Sequence, residues 1–219
     1  MDTGKSFGHP SALRRVASST GVVAGIGGVE HGILEMMQGN RVPSGRVVDA
    51  IGAAQRFWIH GTEPAFTLVP NFLVTGILAT IVGLMVIIWS IAFIDKKHGA
   101  VILFCLSTTM FLVGGGFAPP VFAIVAILAA LMMNRPFQWL RTHILEKLVD
   151  LLARFWKIVF FPFIALSIIE IITAIFGYPL LWFFRAGDLV EILTAFGYVT
   201  FFGLGPIVLI TALAYDIKM

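Results

Sequence analysis

Apolar and polar positions alternate along this chain in long blocks rather than in the short periods of a water-soluble domain. Six blocks are apolar enough to read as helices crossing a bilayer, at roughly 16–38, 68–94, 99–115, 118–134, 157–178 and 189–215. The stretch "LVPNFLVTGILATIVGLMVIIWSIAFI" (68–94) is the clearest, being long and uncharged. Residues 99–134 also carry no charge. As one helix they would run ~54 Å against a hydrocarbon core of ~30 Å. "GGGFAPP" (114–120) lies near their middle with residues that interrupt helices, which predicts two spans and a tight turn, or a re-entrant element.

Between the fourth and fifth blocks, "PFQWLRTHILEKLVDLLARFWK" changes pattern. Phe137, Leu140, Ile144, Leu148, Leu151 and Phe155 recur at steps of three and four, with charged residues largely on the other face. That predicts an amphipathic helix over about 136–156, lying along the membrane surface. Residues 39–66 are the longest polar connection. Within it Ser44, Val48, Ile51, Gln55 and Trp58 fit an N-cap and the apolar face of a short surface helix. The fold expected is thus all-α, a single membrane domain over 1–219 with about six transmembrane helices.

Composition strengthens this picture. Of 219 residues 58% are hydrophobic and 12% charged, about half the charged share of a soluble domain. The lone cysteine, Cys105, excludes an internal disulfide and any CxxC site. A net charge of +3 is too small to imply nucleic acid. No nucleotide-binding or hydrolase motif occurs. Basic residues then orient the chain: with the N-terminus inside a bacterial-type plasma membrane, Lys5, Arg14, Arg15, Lys96, Lys97, Arg135 and the basic residues of 141–157 fall inside with Lys218. Arg41, Arg46, Arg56 and Arg185 fall outside, and six spans return both termini to the cytoplasm.

The candidate chemistry sits where ionisable groups enter apolar blocks. "GGVEHGILEMMQGN" (27–40) places Glu30, His31 and Glu35 in the first span. His31 and Glu35 are one turn apart, with Gln38 continuing the stripe, while Ala24, Gly28 and Gly32 form a small-residue ridge for close helix packing. From the same outer side "HGTEPAFTLVPN" brings His60 and Glu63 into the second span. If a helix begins there, Glu63, Thr67 and Asn71 share a face, with Pro64 in the first turn. His31, Glu35, His60 and Glu63 are thereby predicted to meet near the outer surface.

Such a cluster suits proton or solute binding in a small transporter or channel-type protein, since ionisable residues inside membranes mark pathways. Two histidines and two carboxylates also compose a loose first shell for a divalent metal, and Glu35 or Glu63 could act as acid or base in a membrane-embedded enzyme working on a lipid or apolar substrate. A non-catalytic subunit or assembly factor of a larger membrane complex is the third class, the cluster then only fastening the loop. Partners expected are the lipid bilayer, a small solute, ion or lipid, and other membrane subunits or further copies of the chain. Glu170, in "IALSIIEIITAIF", is a further candidate, because a carboxyl so deep is costly to ionise without a partner. Asp188 and Glu191 read as a helix-capping pair, and "FFGLGP" (201–206) as a kink in the last span.

Overall fold

A computed structural model describes residues 11–133 and 146–219. Among them the chain forms helices α1 (Ala12–Met37), α2 (Phe72–Ala92), α3 (Gly99–Leu112), α4 (Ala118–Met132), α5 (Glu146–Phe176), α6 (Ala186–Tyr198) and α7 (Gly205–Lys218). A small antiparallel pair, β1 (Val47–Asp49) with β2 (Pro64–Phe66), lies in the connection between α1 and α2. The fold is therefore helical, with one short hairpin as its only sheet among the described residues.

Three helical stretches are long and apolar enough to cross a membrane: Phe72–Ala92, Glu146–Phe176 and the continuous run Ala186–Lys218. The other three expected spans are helical but fall short of that standard. α1 has the length, at 26 residues, yet its glycines and ionisable residues dilute its hydropathy. α3 and α4, with 14 and 15 residues, rise only ~21 and ~23 Å. Exposed side chains fit an apolar solvent: on α2, Ile77, Ile81, Leu84, Ile88 and Ile91 form one outward stripe at helical spacing.

α1 occupies the middle of the bundle, against α2, α4, α5 and α7. Glycines let it approach α2 with backbones nearly touching. A Cβ on Gly32 would stand 2.5 Å from the Gly76 carbonyl oxygen, and one on Gly76 would return the clash on Gly32. Gly28 turns elsewhere, toward Met110 of α3. The expected ridge therefore serves two neighbours rather than one. Val86, Leu103, Met110, Ala126, Phe163 and Val208 build the main apolar core together with Leu13 and Val16 at the start of α1.

Both ends of the described fold are tied together there. Ser11 caps α1 by accepting from the Arg14 N–H, and the Asp216 carboxylate of α7 accepts from the Ala12 and Leu13 N–H groups at 2.7 and 3.0 Å. These bonds satisfy donors that every helix start leaves open. Arg14 pairs with Asp95 after α2, and Lys218 with Asp150 of α5.

Four expectations are corrected. Residues 44–58 form β1 and a 3₁₀ turn, Ala53–Gln55, rather than a surface helix. Gly45 and Gly52 flank the segment, and Val48 is buried opposite Ala65 while Val47 and Asp49 are exposed, the alternation of a strand. Residues 62–71 do not start α2, because Pro64–Phe66 pair in β2 and Asn71 supplies the cap at the Val74 N–H. No break separates a surface helix from the fifth span within the described residues: 146–156 run straight into α5. Residues 134–145, with the first half of that predicted helix and His143, lie outside the described residues. Asp188 sits inside the first turn of α6, whose N-cap position is Arg185, so it favours the helix dipole instead of capping.

The kink expected at 201–206 takes a definite form. Val199–Leu204 is a π-helical turn joining α6 to α7. Pro206 cannot donate to the preceding turn and its ring crowds that turn's carbonyl, and the wider turn accommodates both effects. "GGGFAPP" likewise breaks the helix between α3 and α4, with Gly114 at φ +95° and Gly116 at φ +82°.

Candidate functional site

The connection 38–71 packs over the C-terminal end of α1. Ala50 and Ile51 are buried against Leu34 and Ile175. The Gln38 amide donates to the Asp49 and Ala50 carbonyls at 2.8 Å each, and the Trp58 indole N–H donates to the Ala174 carbonyl of α5 at 3.0 Å. The hairpin is thus fastened to α1 and α5 together. Its second arm carries Glu63 down toward α1.

His31 is the centre of the cluster, its side chain only 3% exposed. Nδ1 lies 2.9 Å from the Gly27 carbonyl oxygen and 3.0 Å from Glu30 Oε2. A carbonyl can only accept, so Nδ1 carries a proton and donates. Nε2 then faces Glu63, 3.4 Å from Oε2, without the alignment of a hydrogen bond. One imidazole therefore stands between two carboxyls that arrive from different segments, α1 and the hairpin. The turn between α3 and α4 presses on the same ring: Gly116 has its backbone against His31, where a Cβ would stand 2.5 Å from Cε1. The Gly114 N–H bonds the Phe66 carbonyl and the Thr75 hydroxyl bonds the Val113 carbonyl, holding the turn to β2 and α2.

Glu30, His31, Glu63 and Glu170 all line one cavity of about 180 Å³. Its remaining wall is mostly apolar, with Pro119 and Phe122 from α4, Ile171 from α5, Leu193 from α6 and Phe201 from the π-helical turn. Phe122 and Phe201 meet edge to face, their centroids 4.1 Å apart. Neither carboxyl oxygen of Glu170 has a hydrogen-bond partner, nor does Glu30 Oε1. No Lys or Arg lines the cavity among the described residues.

Comparison of the chain with protein-family models, curated proteins and solved structures returns no match.

The site thus rests on geometry alone, which rearranges the expected cluster. His31 and Glu63 do meet, and Glu30 joins them in place of Glu35. Glu35 is fully buried under Gly114 and beside Thr75, outside the cavity lining. His60 is exposed on the 58–61 turn, edge-on to Trp58 at 5.6 Å. The set His31, Glu35, His60 and Glu63 therefore does not assemble as a metal shell, and no three His, Cys, Asp or Glu side chains among the described residues are grouped to hold a metal ion. Ser167 and Thr173, expected on the face of Glu170, bond the Phe163 and Tyr178 carbonyls instead and leave the carboxyl alone.

The aromatic wall and Gly197, whose backbone passes close to Glu170, were not legible as site residues. Phe is too common in this chain to mark a site, although Gly197 and Phe201 do stand one turn apart beside the glycine-proline break. Chemically the cavity combines acceptors, a proton-carrying imidazole and an apolar wall.

Proposed function

We propose that this chain is a multi-pass membrane protein that binds a small solute in the Glu30–His31–Glu63–Glu170 cavity and moves it, with proton exchange on those groups. The single observation behind this reading is convergence: ionisable side chains from α1, the hairpin and α5 share one otherwise apolar cavity. Placing such groups in a lipid-surrounded bundle is costly, and pathways are where they repay that cost. Glu30, His31 and Glu63 stand in line, so a proton can be held at either imidazole face as a solute enters or leaves.

In this reading six crossings are completed by α1, α3 and α4 packed among the three long spans, with both termini on the cytoplasmic side. The α3–α4 turn lies beside His31 and Glu35, roughly half a turn to two turns below the outer end of α1, and the hairpin closes the space above it. Short α3 and α4 then need not reach the outer surface, because protein covers them.

Proteoliposomes loaded with a pH-sensitive dye test the proposal. Small organic cations, monocarboxylates and neutral polyols are added outside in turn. At least one class is expected to evoke proton movement above that of protein-free liposomes, and His31→Ala or Glu170→Gln to cut it at least tenfold. No solute-evoked movement, or movement unchanged in both variants, overturns the reading.

A further inference from the structure

A second concavity lies on the outside of the bundle. It is an apolar groove of about 410 Å³ between α1, α2, Phe57 of the covering loop and the end of α5. Ile26, Ile33, Met37 and Leu84 on its walls are each about half exposed, as lipid-facing side chains are. From Ile26 to Met37 it follows α1 for about 17 Å. One ionisable residue lies in it, Glu30, and Glu30 also lines the inner cavity. The carboxyl therefore stands where a membrane-facing groove meets the polar cluster, its Oε2 on His31 and its Oε1 unpaired.

Resting on the reading above, we infer that the ligand is an amphipathic organic cation that enters sideways from the bilayer, its tail in the groove and its ammonium head passing Glu30 into the cavity. Charge selects the head. Three carboxyls and one imidazole line the cavity without Lys or Arg among the described residues, so an arriving cation finds oxygen acceptors whose ionised form it stabilises, while an anion finds no Lys or Arg partner. Phe122 and Phe201 add aromatic walls, which favour a quaternary or protonated amine over a hydrated metal ion. His31, its side chain 3% exposed, lines the same cavity, its Nε2 3.4 Å from Glu63 Oε2 and without a hydrogen bond.

The groove accounts for the tail. A tail already dissolved in lipid gains little by moving into an apolar groove, but it need not leave apolar surroundings while the head reaches the carboxyls. Measured against water, each methylene still retained in that environment multiplies affinity roughly fourfold.

The full chain in lipid nanodiscs decides the matter with four probes: radiolabelled octyltrimethylammonium, tetramethylammonium, octanoate and octyl glucoside, each read above empty nanodiscs. The expected result is saturable binding of the octyl cation, displaced by tetramethylammonium and weakened at least tenfold in Glu30→Gln. Leu84→Trp, which fills the groove from α2, is expected to bring the octyl cation's affinity down toward that of tetramethylammonium. Glu170→Gln provides the same charge test should Glu30→Gln not fold. Equal affinity for the two cations, unaffected by Leu84→Trp, overturns entry through the groove. Octanoate or octyl glucoside binding as tightly as the octyl cation overturns the cationic class. Absence of saturable binding by any probe overturns the inference, and proton movement evoked by another solute in proteoliposomes would show that the broader reading survives it.

Discussion

Replacing Gly116 by alanine probes the contact that fixes His31. Gly116 has φ +82°, and its Cβ would stand 2.5 Å from His31 Cε1 and 2.7 Å from Cδ2. Carbon atoms pack at ~3.5–4.0 Å, so the ring must retreat by roughly 1 Å. Such a shift breaks the 2.9 Å bond from Nδ1 to the Gly27 carbonyl. Losing a buried hydrogen bond costs ~1–3 kcal/mol, and an alanine in left-handed backbone adds ~1–2 kcal/mol. The total is about 2–5 kcal/mol of stability. Gly39 supplies the control, having φ +79° with nothing within 4 Å of its would-be Cβ. Gly39→Ala should cost only the backbone strain, ~1–2 kcal/mol, and leave ligand binding unchanged. Both variants are compared with wild type by denaturant unfolding in mixed micelles and by tetramethylammonium binding in nanodiscs. Gly116→Ala is expected to lose more stability than Gly39→Ala and to bind at least tenfold more weakly. Equal behaviour of the two variants in both assays refutes the claim that the α3–α4 turn positions the imidazole.

Other outcomes follow from single contacts. Asp216→Ala removes the acceptor of two α1 N–H groups and should lower stability by about 2–4 kcal/mol, read as an unfolding midpoint, with binding in the cavity unaltered. Trp58→Phe deletes the bond to the Ala174 carbonyl, worth ~1 kcal/mol, and should speed hydrogen exchange at the Ala50 amide, which bonds the Glu63 carbonyl; unchanged exchange would mean that Trp58 does not hold the cover down. Gly32→Leu should force α1 from α2 and cost more than ~3 kcal/mol, and a variant that unfolds with wild-type midpoint would contradict the close approach to Gly76.

Much of the helical plan was legible because periodicity and breakers are local. The split of 99–134 at "GGGFAPP" follows from length and from residues that interrupt helices, and the structure has the break at that place. The hairpin was missed for a physical reason. Val48, Ile51, Gln55 and Trp58 fit helical spacing, yet the pairing of Val48 with Ala65 joins residues 17 apart, which a local pattern does not reveal. The candidate site was half legible. Glu30, His31, Glu63 and Glu170 were all visible as costly groups in or beside apolar sequence. Which of them meet depends on how α5 and the hairpin pack on α1. The i, i+4 rule tied Glu35 to His31, but Gly114 covers Glu35 while the Glu30 side chain folds back onto the imidazole. His60 looked equivalent to His31 and is turned outward by the bend closed between Gly61 and Trp58.

The proposed solute site requires Glu170 to face a water-reachable cavity rather than lipid. Glu170→Cys, made with Cys105→Ser so that no other thiol remains, is treated in proteoliposomes with a small water-soluble methanethiosulfonate, and Ile168→Cys in the same background serves as the comparison. Ile168 lies on the same helix, 43% exposed on the outer surface of the bundle. Rapid modification is expected at 170 and protection at 168, where only a lipid-soluble maleimide reacts. Equal modification of the two positions, or a reagent that reaches neither, refutes a water-reachable cavity at Glu170.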